Sequence, residues 1–125
     1  MLVPGTLWKE YHVEVGKIMT SELLGLGLLD QKDVDQQNPD MPAYKRYFMH
    51  GTSHHMGLDT HDYGLLHLPM RANMVFTVEP GIYIPEEGFG IRLEDDVVIQ
   101  ENGAPLNLMG NIPIEVDEIE ALMNA

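Results

Sequence analysis

Cysteine is missing from the sequence and basic side chains are few, and both features narrow the possible functions. Without a thiol the chain can form no disulfide and offers no thiolate, so any metal must be held by oxygen and imidazole. Twenty acidic residues against seven Lys and Arg give a formal net charge of −13. A surface of this charge repels phosphate backbones, and we therefore expect no nucleic-acid partner.

Long hydrophobic runs are missing too. No apolar stretch approaches the roughly 20 residues of a membrane span, and the first residues lack the basic and then apolar pattern of a signal peptide. We therefore expect no membrane partner and a cytoplasmic location. Aromatic residues make up 7% of the 125 positions, but 44% are hydrophobic, which is enough for the core of one domain spanning residues 1–125.

The N-terminal part is predicted to be helical. Thr6 is the expected N-cap, and Gly25 is a suitable end. Residues 30–42 are predicted to form an exposed acidic loop, and residues 43–49 a helical turn. The buried face of the helix is predicted from apolar residues spaced four, four and three apart, which are Leu7, Tyr11, Val15 and Ile18.

Two later segments, 74–79 and 90–99, are rich in β-branched residues and are predicted to be antiparallel strands joined by a turn at 85–88. A helical turn is expected to close the chain over 115–123. The fold class is therefore predicted to be α+β. If the turn is centred between residues 86 and 87, the pairs across the strands are Glu79 with Glu94, Thr77 with Asp96 and Gly81 with Arg92.

The pair of Glu79 and Glu94 is the first indication of a site. Two carboxylates facing each other across strands cost roughly 0.2–1 kcal/mol, and more when buried. A proton, an arginine or a cation between them would remove this cost. The alternative interpretation is a shifted register, since bulges and longer loops often cause one, and the pairing would then be accidental.

Histidines give the second indication, because four of the six lie within residues 50–61. Imidazole is a common ligand of Zn, Mn, Fe and Co and the usual acid–base group at neutral pH. The alternative is a His-rich surface turn that binds metals only adventitiously. Together with the two glutamates, His54 would form a site suited to Mn²⁺, Co²⁺ or Zn²⁺.

Three motifs carry a resemblance to a known family: residues 50–62 (HGTSHHMGLDTHD), 77–83 (TVEPGIY) and 90–96 (GIRLEDD). In order and spacing they closely resemble the Xaa-Pro aminopeptidases (aminopeptidase P), which belong to the pita-bread metallopeptidases together with prolidase and methionine aminopeptidase. The resemblance covers nearly the whole chain. It implies half of a pita-bread fold, with helices on one face of a curved antiparallel sheet.

The resemblance also implies roles. His54, Glu79 and Glu94 match metal ligands, Glu94 bridging two ions, and Arg92 matches an arginine that supports the site by charge pairing. His50 and His61 match histidines that contact the substrate and the tetrahedral intermediate. The implied reaction removes the N-terminal residue from peptides with proline in second position, using metal-activated water, with Glu79 as proton acceptor. Manganese is the expected metal, with zinc and cobalt as alternatives.

The sequence departs from the family pattern in one large respect. The family's catalytic domain is longer, and its first half supplies two aspartate ligands that have no counterpart here. Residues 1–125 therefore resemble the C-terminal half of that domain. We expect at most one weakly held ion and an inactive isolated chain. We also expect the uncovered face to bind a second copy, as a homo-oligomer, or the missing N-terminal half.

Three other interpretations remain open at this point. The chain could be a non-catalytic binding module on the same fold, which would be expected to have lost its ligands. A prolidase-type enzyme, which cleaves only dipeptides, is an alternative within the family. An unrelated small metal-binding protein would account for a His-Glu-Glu site, but not for the motifs at 77–83 and 90–96.

Overall fold

The computed structural model describes all residues from Met1 to Ala125. Three helices and five strands follow one another along the chain, with two short 3-10 turns, and the predicted α+β class is confirmed. The elements are α1 (Trp8–Gly25), α2 (Gln31–Asp35), a 3-10 turn (Ala43–Arg46), β1 (Val75–Val78), β2 (Gly81–Ile84), a 3-10 turn (Pro85–Glu87), β3 (Phe89–Arg92), β4 (Asp95–Val98), β5 (Leu106–Asn107) and α3 (Val116–Met123).

The predicted hairpin is present with the predicted register. In the first sheet, ordered β1-β4-β5, Thr77 pairs with Asp96, and in the second sheet, made of β2 and β3, Gly81 pairs with Arg92. The hairpin is interrupted on both sides, however. Pro80, just after the first predicted segment, has no N–H for a ladder bond, and the second predicted segment leaves the ladder at residues 93–94. The interruptions divide one long hairpin into two short sheets.

Helix α1 packs its buried face on the first sheet. The predicted face is correct at Tyr11 and Val15, which are 3% and 7% exposed, and wrong at Leu7 and Ile18, which are 36% and 48% exposed. The buried face continues at a spacing of four through Met19 and Leu23. The main core cluster comprises Leu2, Tyr11, Val15, Met19, Phe48, Met70, Phe76, Val97 and Ile99.

Two local predictions were wrong. Thr6 is not the N-cap of α1: its hydroxyl donates to the Met1 carbonyl at 3.1 Å, and Leu7 occupies the cap position. Residues 30–42 are not all loop, because the acidic run begins with a short helix. Asp30 caps this helix by accepting the Asp33 N–H at 2.8 Å, while Asp33 accepts the Asp30 N–H at 3.1 Å. Two aspartates three residues apart satisfy each other's backbone in this way, which the charge pattern alone concealed.

The core is small and lies entirely within residues 2–99. Only 17 of the 125 residues are buried, and none of them follows Ile99. The closing helix predicted over 115–123 is present as α3, but its apolar side chains are exposed, as Leu122 at 64% shows. No helix of the structure combines the length and the apolar character needed to cross a membrane.

Candidate metal centre

The candidate centre is built on β1, which has a neighbour at each edge. Strand β4 pairs with one edge, and the irregular segment 52–56 follows the other, with an isolated bridge between His55 and Phe76. The three predicted ligands thus come from three adjacent chain segments. Backbone bonds hold the irregular segment in place: Thr77 N–H donates to the His54 carbonyl at 3.1 Å, Met56 N–H to the Val75 carbonyl at 3.2 Å, and Glu79 N–H to the Thr52 carbonyl at 2.7 Å.

The structure brings the predicted ligands together. One ligand atom from each of His54, Glu79 and Glu94 lies within 4.8 Å of the others, and His54 Nε2 lies 3.3 Å from Glu79 Oε1. The His54 and Glu79 side chains are 21% and 13% exposed, whereas Glu94 is exposed. Both glutamates lie at the interruptions of the hairpin, where they are free of the ladder pairing. Their role as metal ligands stays a prediction.

Hydrogen bonding fixes the tautomer of His54. Its Nδ1 lies 2.9 Å from the His55 carbonyl, which can only accept, so Nδ1 carries the proton. In the neutral ring Nε2 then has a free lone pair, and this lone pair faces a carboxylate oxygen of Glu79. Two lone pairs facing each other at this distance repel unless a proton or a cation lies between them. A ligating histidine whose other nitrogen donates to a carbonyl is the usual arrangement in metal sites.

Arg92 lies beside Glu79, and the supporting role that the resemblance implied for it stays a prediction. Its Nη1 lies 3.5 Å from Glu79 Oε2, so it forms an ion pair with the carboxylate oxygen that does not face His54. Glu79 therefore has a positive partner on one oxygen and an imidazole lone pair near the other.

His61 reaches the centre from a tight loop. Its ring lies 4.1 Å from the ring of His54, centroid to centroid. Asp62 closes this loop: its N–H donates to the His55 carbonyl at 3.0 Å, and its carboxylate accepts the Leu58 N–H at 2.9 Å. A side chain at Gly64 would overlap the His55 ring, so only glycine permits this close approach.

His50 does not belong to the group of three ligand atoms. The His50 Nδ1 donates to the Gly51 carbonyl at 2.8 Å. The Nε2 lies 2.9 Å from the Tyr83 hydroxyl, and in the neutral ring Nε2 therefore accepts a hydrogen bond from that hydroxyl. Tyr83 is a residue that sequence reasoning missed as a functional partner. It stands in the quoted motif, but only the tertiary structure places it beside a loop more than 30 positions earlier in the chain, where its N–H donates to the Tyr47 carbonyl at 2.8 Å.

Core residues contact the segment that carries His54. His55 packs against Trp8 and Phe76, with ring centroids 6.2 and 4.4 Å away, and burial lowers the pKa of His55 below its usual value. The Tyr11 hydroxyl of α1 shares a buried hydrogen bond of 2.8 Å with Ser53, and burial raises the pKa of Tyr11. His54 is thus flanked in sequence by two residues that the core fixes.

The residues present fit a divalent cation. A neutral imidazole nitrogen and two carboxylates are the donors that Mn²⁺, Zn²⁺ and Co²⁺ accept. One buried polar atom, the Thr52 hydroxyl oxygen, has no hydrogen-bond partner, and Thr52 lies opposite Glu79 in the backbone pairing. A buried hydroxyl without a partner is uncommon and is consistent with a missing group nearby.

Comparison with known proteins decides the family. A model described as metallopeptidase family M24 matches residues 1–101. This chain belongs to that family. The match includes α1, the histidine-rich loop and strands β1 to β4, and therefore every residue of the candidate metal centre, whereas α3 lies outside it.

Individual relatives agree. The Xaa-Pro aminopeptidase of Escherichia coli (strain K12) is 45% identical over 137 aligned residues, which cover 98% of this chain and 30% of that protein. Human Xaa-Pro aminopeptidase 3 is 34% identical over 95% of this chain and 25% of its own length. The solved structure of Pseudomonas aeruginosa aminopeptidase PepP superimposes with a TM-score of 0.83 at 39% identity, covering 98% of this chain and 30% of that one. The resemblance read from the motifs is confirmed.

The extent of these matches is itself informative. The chain spans about 30% of the length of the Escherichia coli relative, which fits the expectation that it corresponds to a part of a longer catalytic protein. The fold is likewise that of the aminopeptidase P structures, so half of a pita-bread fold is confirmed as the fold class. The boundaries 1–125 of the half-domain stay a prediction.

Proposed function

We propose that this chain is the C-terminal part of a metal-dependent aminopeptidase that removes the N-terminal residue from peptides with proline in second position. The observation that carries the proposal is the convergence of an imidazole nitrogen and two carboxylates within 4.8 Å. The Xaa-Pro aminopeptidases that share its motifs, and an aminopeptidase P structure solved with the inhibitor Pro-Leu, support the substrate class.

In this proposal His54, Glu79 and Glu94 hold the cation. A bound divalent cation lowers the pKa of a water molecule and polarises a carbonyl, which is the chemistry that peptide hydrolysis needs. Manganese is the proposed ion, with zinc and cobalt as alternatives that the same donors accept. The chain lacks the further aspartates that the family resemblance implies, so we propose that it holds at most one ion, weakly.

The protein's own groups divide the remaining work. Glu79, oriented by Arg92 at 3.5 Å, accepts the proton released during attack. His61, whose ring lies 4.1 Å from that of His54, donates a hydrogen bond to the developing oxyanion. His50, held by Tyr83 at 2.9 Å, contacts the peptide. Each role requires a side chain that a neighbouring group holds in position, and these neighbours are Arg92, His54 and Tyr83.

The proposal includes partners and location. An open apolar groove lies between the C-terminal end of α1 and the β2–β3 sheet, and Leu26, Phe89 and Ile91 line it at 63%, 54% and 62% exposure. Patches of this kind rarely stay in water. We propose that a second copy of the chain, or the N-terminal half of the catalytic domain, covers it. The proposed location is the cytoplasm, which suits a chain without cysteine.

A paired measurement tests the proposal. Calorimetric titration with Mn²⁺ is expected to give one site per chain, abolished in Glu94→Gln and retained in the matched control Glu86→Gln, which changes an exposed turn residue. Hydrolysis of an Xaa-Pro peptide is expected only when the complementary half-domain is added. Binding of Mn²⁺ without any hydrolysis in that mixture would favour the non-catalytic module, and cleavage restricted to dipeptides would favour a prolidase-type enzyme.

A further inference from the structure

We infer that Thr77 is a positioning residue that holds His54 and Glu79 in one ligand geometry. The inference rests on the proposed metal site and deepens it, because no role for this residue follows from the motifs. Thr77 lies in the middle of β1, is 1% exposed, and faces the segment that carries His54. Its hydroxyl and its backbone are both engaged with the candidate ligands.

The first step of the argument concerns His54. Thr77 N–H donates to the His54 carbonyl at 3.1 Å, as in an antiparallel ladder. The His54 N–H, which a regular pair would direct at the Thr77 carbonyl, donates instead to the Thr77 hydroxyl oxygen at 3.0 Å. Thr77 therefore binds both backbone polar groups of His54, one through its main chain and one through its side chain.

The second step concerns Glu79. Because the hydroxyl oxygen accepts the His54 N–H, its single proton is free to be donated, and Glu79 Oε1 lies 3.3 Å away. This is the same carboxylate oxygen that faces His54 Nε2 at 3.3 Å. One hydroxyl thus links the backbone of one predicted ligand to the carboxylate of another.

The third step concerns rigidity. A β-branched side chain on a strand has a restricted χ1, and a residue with 1% exposure has neighbours on all sides. The hydroxyl is therefore fixed before any cation arrives. Groups that orient metal ligands in this way typically change metal affinity 10–100-fold when removed.

Co²⁺ binding to the full 125-residue chain tests the inference. Co²⁺ is titrated by its visible absorption, which reports both affinity and ligand geometry. Thr77→Val, which keeps the shape and removes the hydroxyl, is expected to weaken binding about 10–100-fold and to change the absorption spectrum. Thr77→Ser restores the hydroxyl and is expected to recover most of the affinity. Thr20→Val, which removes a hydroxyl bond within α1, is the matched control and is expected to change neither.

Amide exchange gives a readout without metal. In Thr77→Val the His54 N–H has lost its acceptor, so its hydrogen exchange is expected to accelerate, and in Thr77→Ser it is expected to stay slow. If Thr77→Val does not fold, Thr77→Ala, which relieves any crowding by the added methyl group, takes its place in both measurements.

The outcomes separate the inference from the proposed function. Wild-type affinity and spectrum in Thr77→Val would overturn the positioning role while leaving the metal site intact. A loss in Thr77→Ser as large as in Thr77→Val would also overturn it, since the hydroxyl would then not be the cause. If the wild-type chain binds no Co²⁺, both the proposed metal site and the positioning role of Thr77 are refuted. Co²⁺ binding with the expected order of variants, but no peptide hydrolysis after the complementary half-domain is added, would refute only the enzyme.

Discussion

The two short sheets are successive parts of one hairpin, yet they differ in burial. The pairs of Thr77 with Asp96 in the first sheet and Gly81 with Arg92 in the second follow the same register. Phe76 in β1 is fully buried, whereas Ile91 in β3 is 62% exposed. The register is therefore not what buries a strand. Burial depends on a second layer, and α1 supplies that layer mainly for the first sheet.

The candidate metal centre lies where the two sheets meet. Glu79 and Glu94 occupy the interruptions between the paired segments, with buried Thr77 on one side and exposed Arg92 on the other. A centre in this position has buried residues on one side and an open side facing solvent. The proposed hydrolytic function requires this combination, since ligands must be fixed while a substrate must enter.

Core substitution is expected to produce the largest difference between the sheets. Phe76→Ala in β1 should lower the free energy of unfolding by about 3–5 kcal/mol, because it leaves a cavity in the main cluster. Phe89→Ala in β3, 54% exposed, should change it by no more than about 1 kcal/mol. Urea denaturation of both variants measures this contrast. Equal losses would show that the second sheet is covered in solution.

Substitution of Glu79, a predicted ligand, is expected to have the next largest effect. Glu79→Gln keeps the volume but removes the charge that faces His54 and Arg92, and should weaken Mn²⁺ binding more than about 100-fold, beyond the usual effect of a supporting residue. Glu87→Gln, in the exposed turn of the same hairpin, is the control. Unchanged Mn²⁺ affinity in Glu79→Gln, measured by calorimetry, would remove Glu79 from the ligand set.

A charged substitution on β3 tests whether a second copy of the chain covers the apolar groove between α1 and the β2–β3 sheet. Ile91→Lys is expected to shift the chain toward monomer, because a lysine on an exposed strand opposes pairing with another strand. Sedimentation velocity at several protein concentrations measures the shift. Val13→Lys, on the exposed side of α1, adds the same charge elsewhere and should leave the assembly unchanged. A wild-type chain that sediments as a monomer at all concentrations would contradict the second-copy arrangement.

The smallest expected effect is a pH dependence from α1. Burial beside Trp8 and Tyr11 lowers the pKa of His12 below its usual 6.5, so the unfolded state binds a proton more readily than the folded state. Stability from this group is therefore complete above about pH 6.5 and is lost as the pH falls below it. His12→Gln should reduce the drop in the urea midpoint between pH 7.5 and pH 5. An identical drop in both proteins would assign the effect to other groups.

Much of the site was predictable because its residues lie in short, specific motifs. The histidine cluster at 50–61 and the turn at 85–88, which sets the cross-strand pairs, indicated His54, Glu79 and Glu94 as candidate ligands, and the family resemblance added the supporting role of Arg92. Local chemistry was enough there, since a tight turn fixes the register on both of its strands. Where the local pattern was ambiguous, as in the reciprocal capping of Asp30 and Asp33, the prediction was wrong.

By itself the sequence determined the family, the hairpin register and the chemistry of the candidate ligands. Only the tertiary structure decided which tautomer His54 adopts, that Tyr83 binds His50, and that the hydroxyl of Thr77 links two predicted ligands. The physical reason is the same in each case. Tyr83 with His50 and Thr77 with His54 are far apart in the chain, whereas His54 with His55 and Thr77 with Glu79 are near neighbours. All four contacts depend on the direction in which an atom points, which packing determines and a pattern of residue types does not contain.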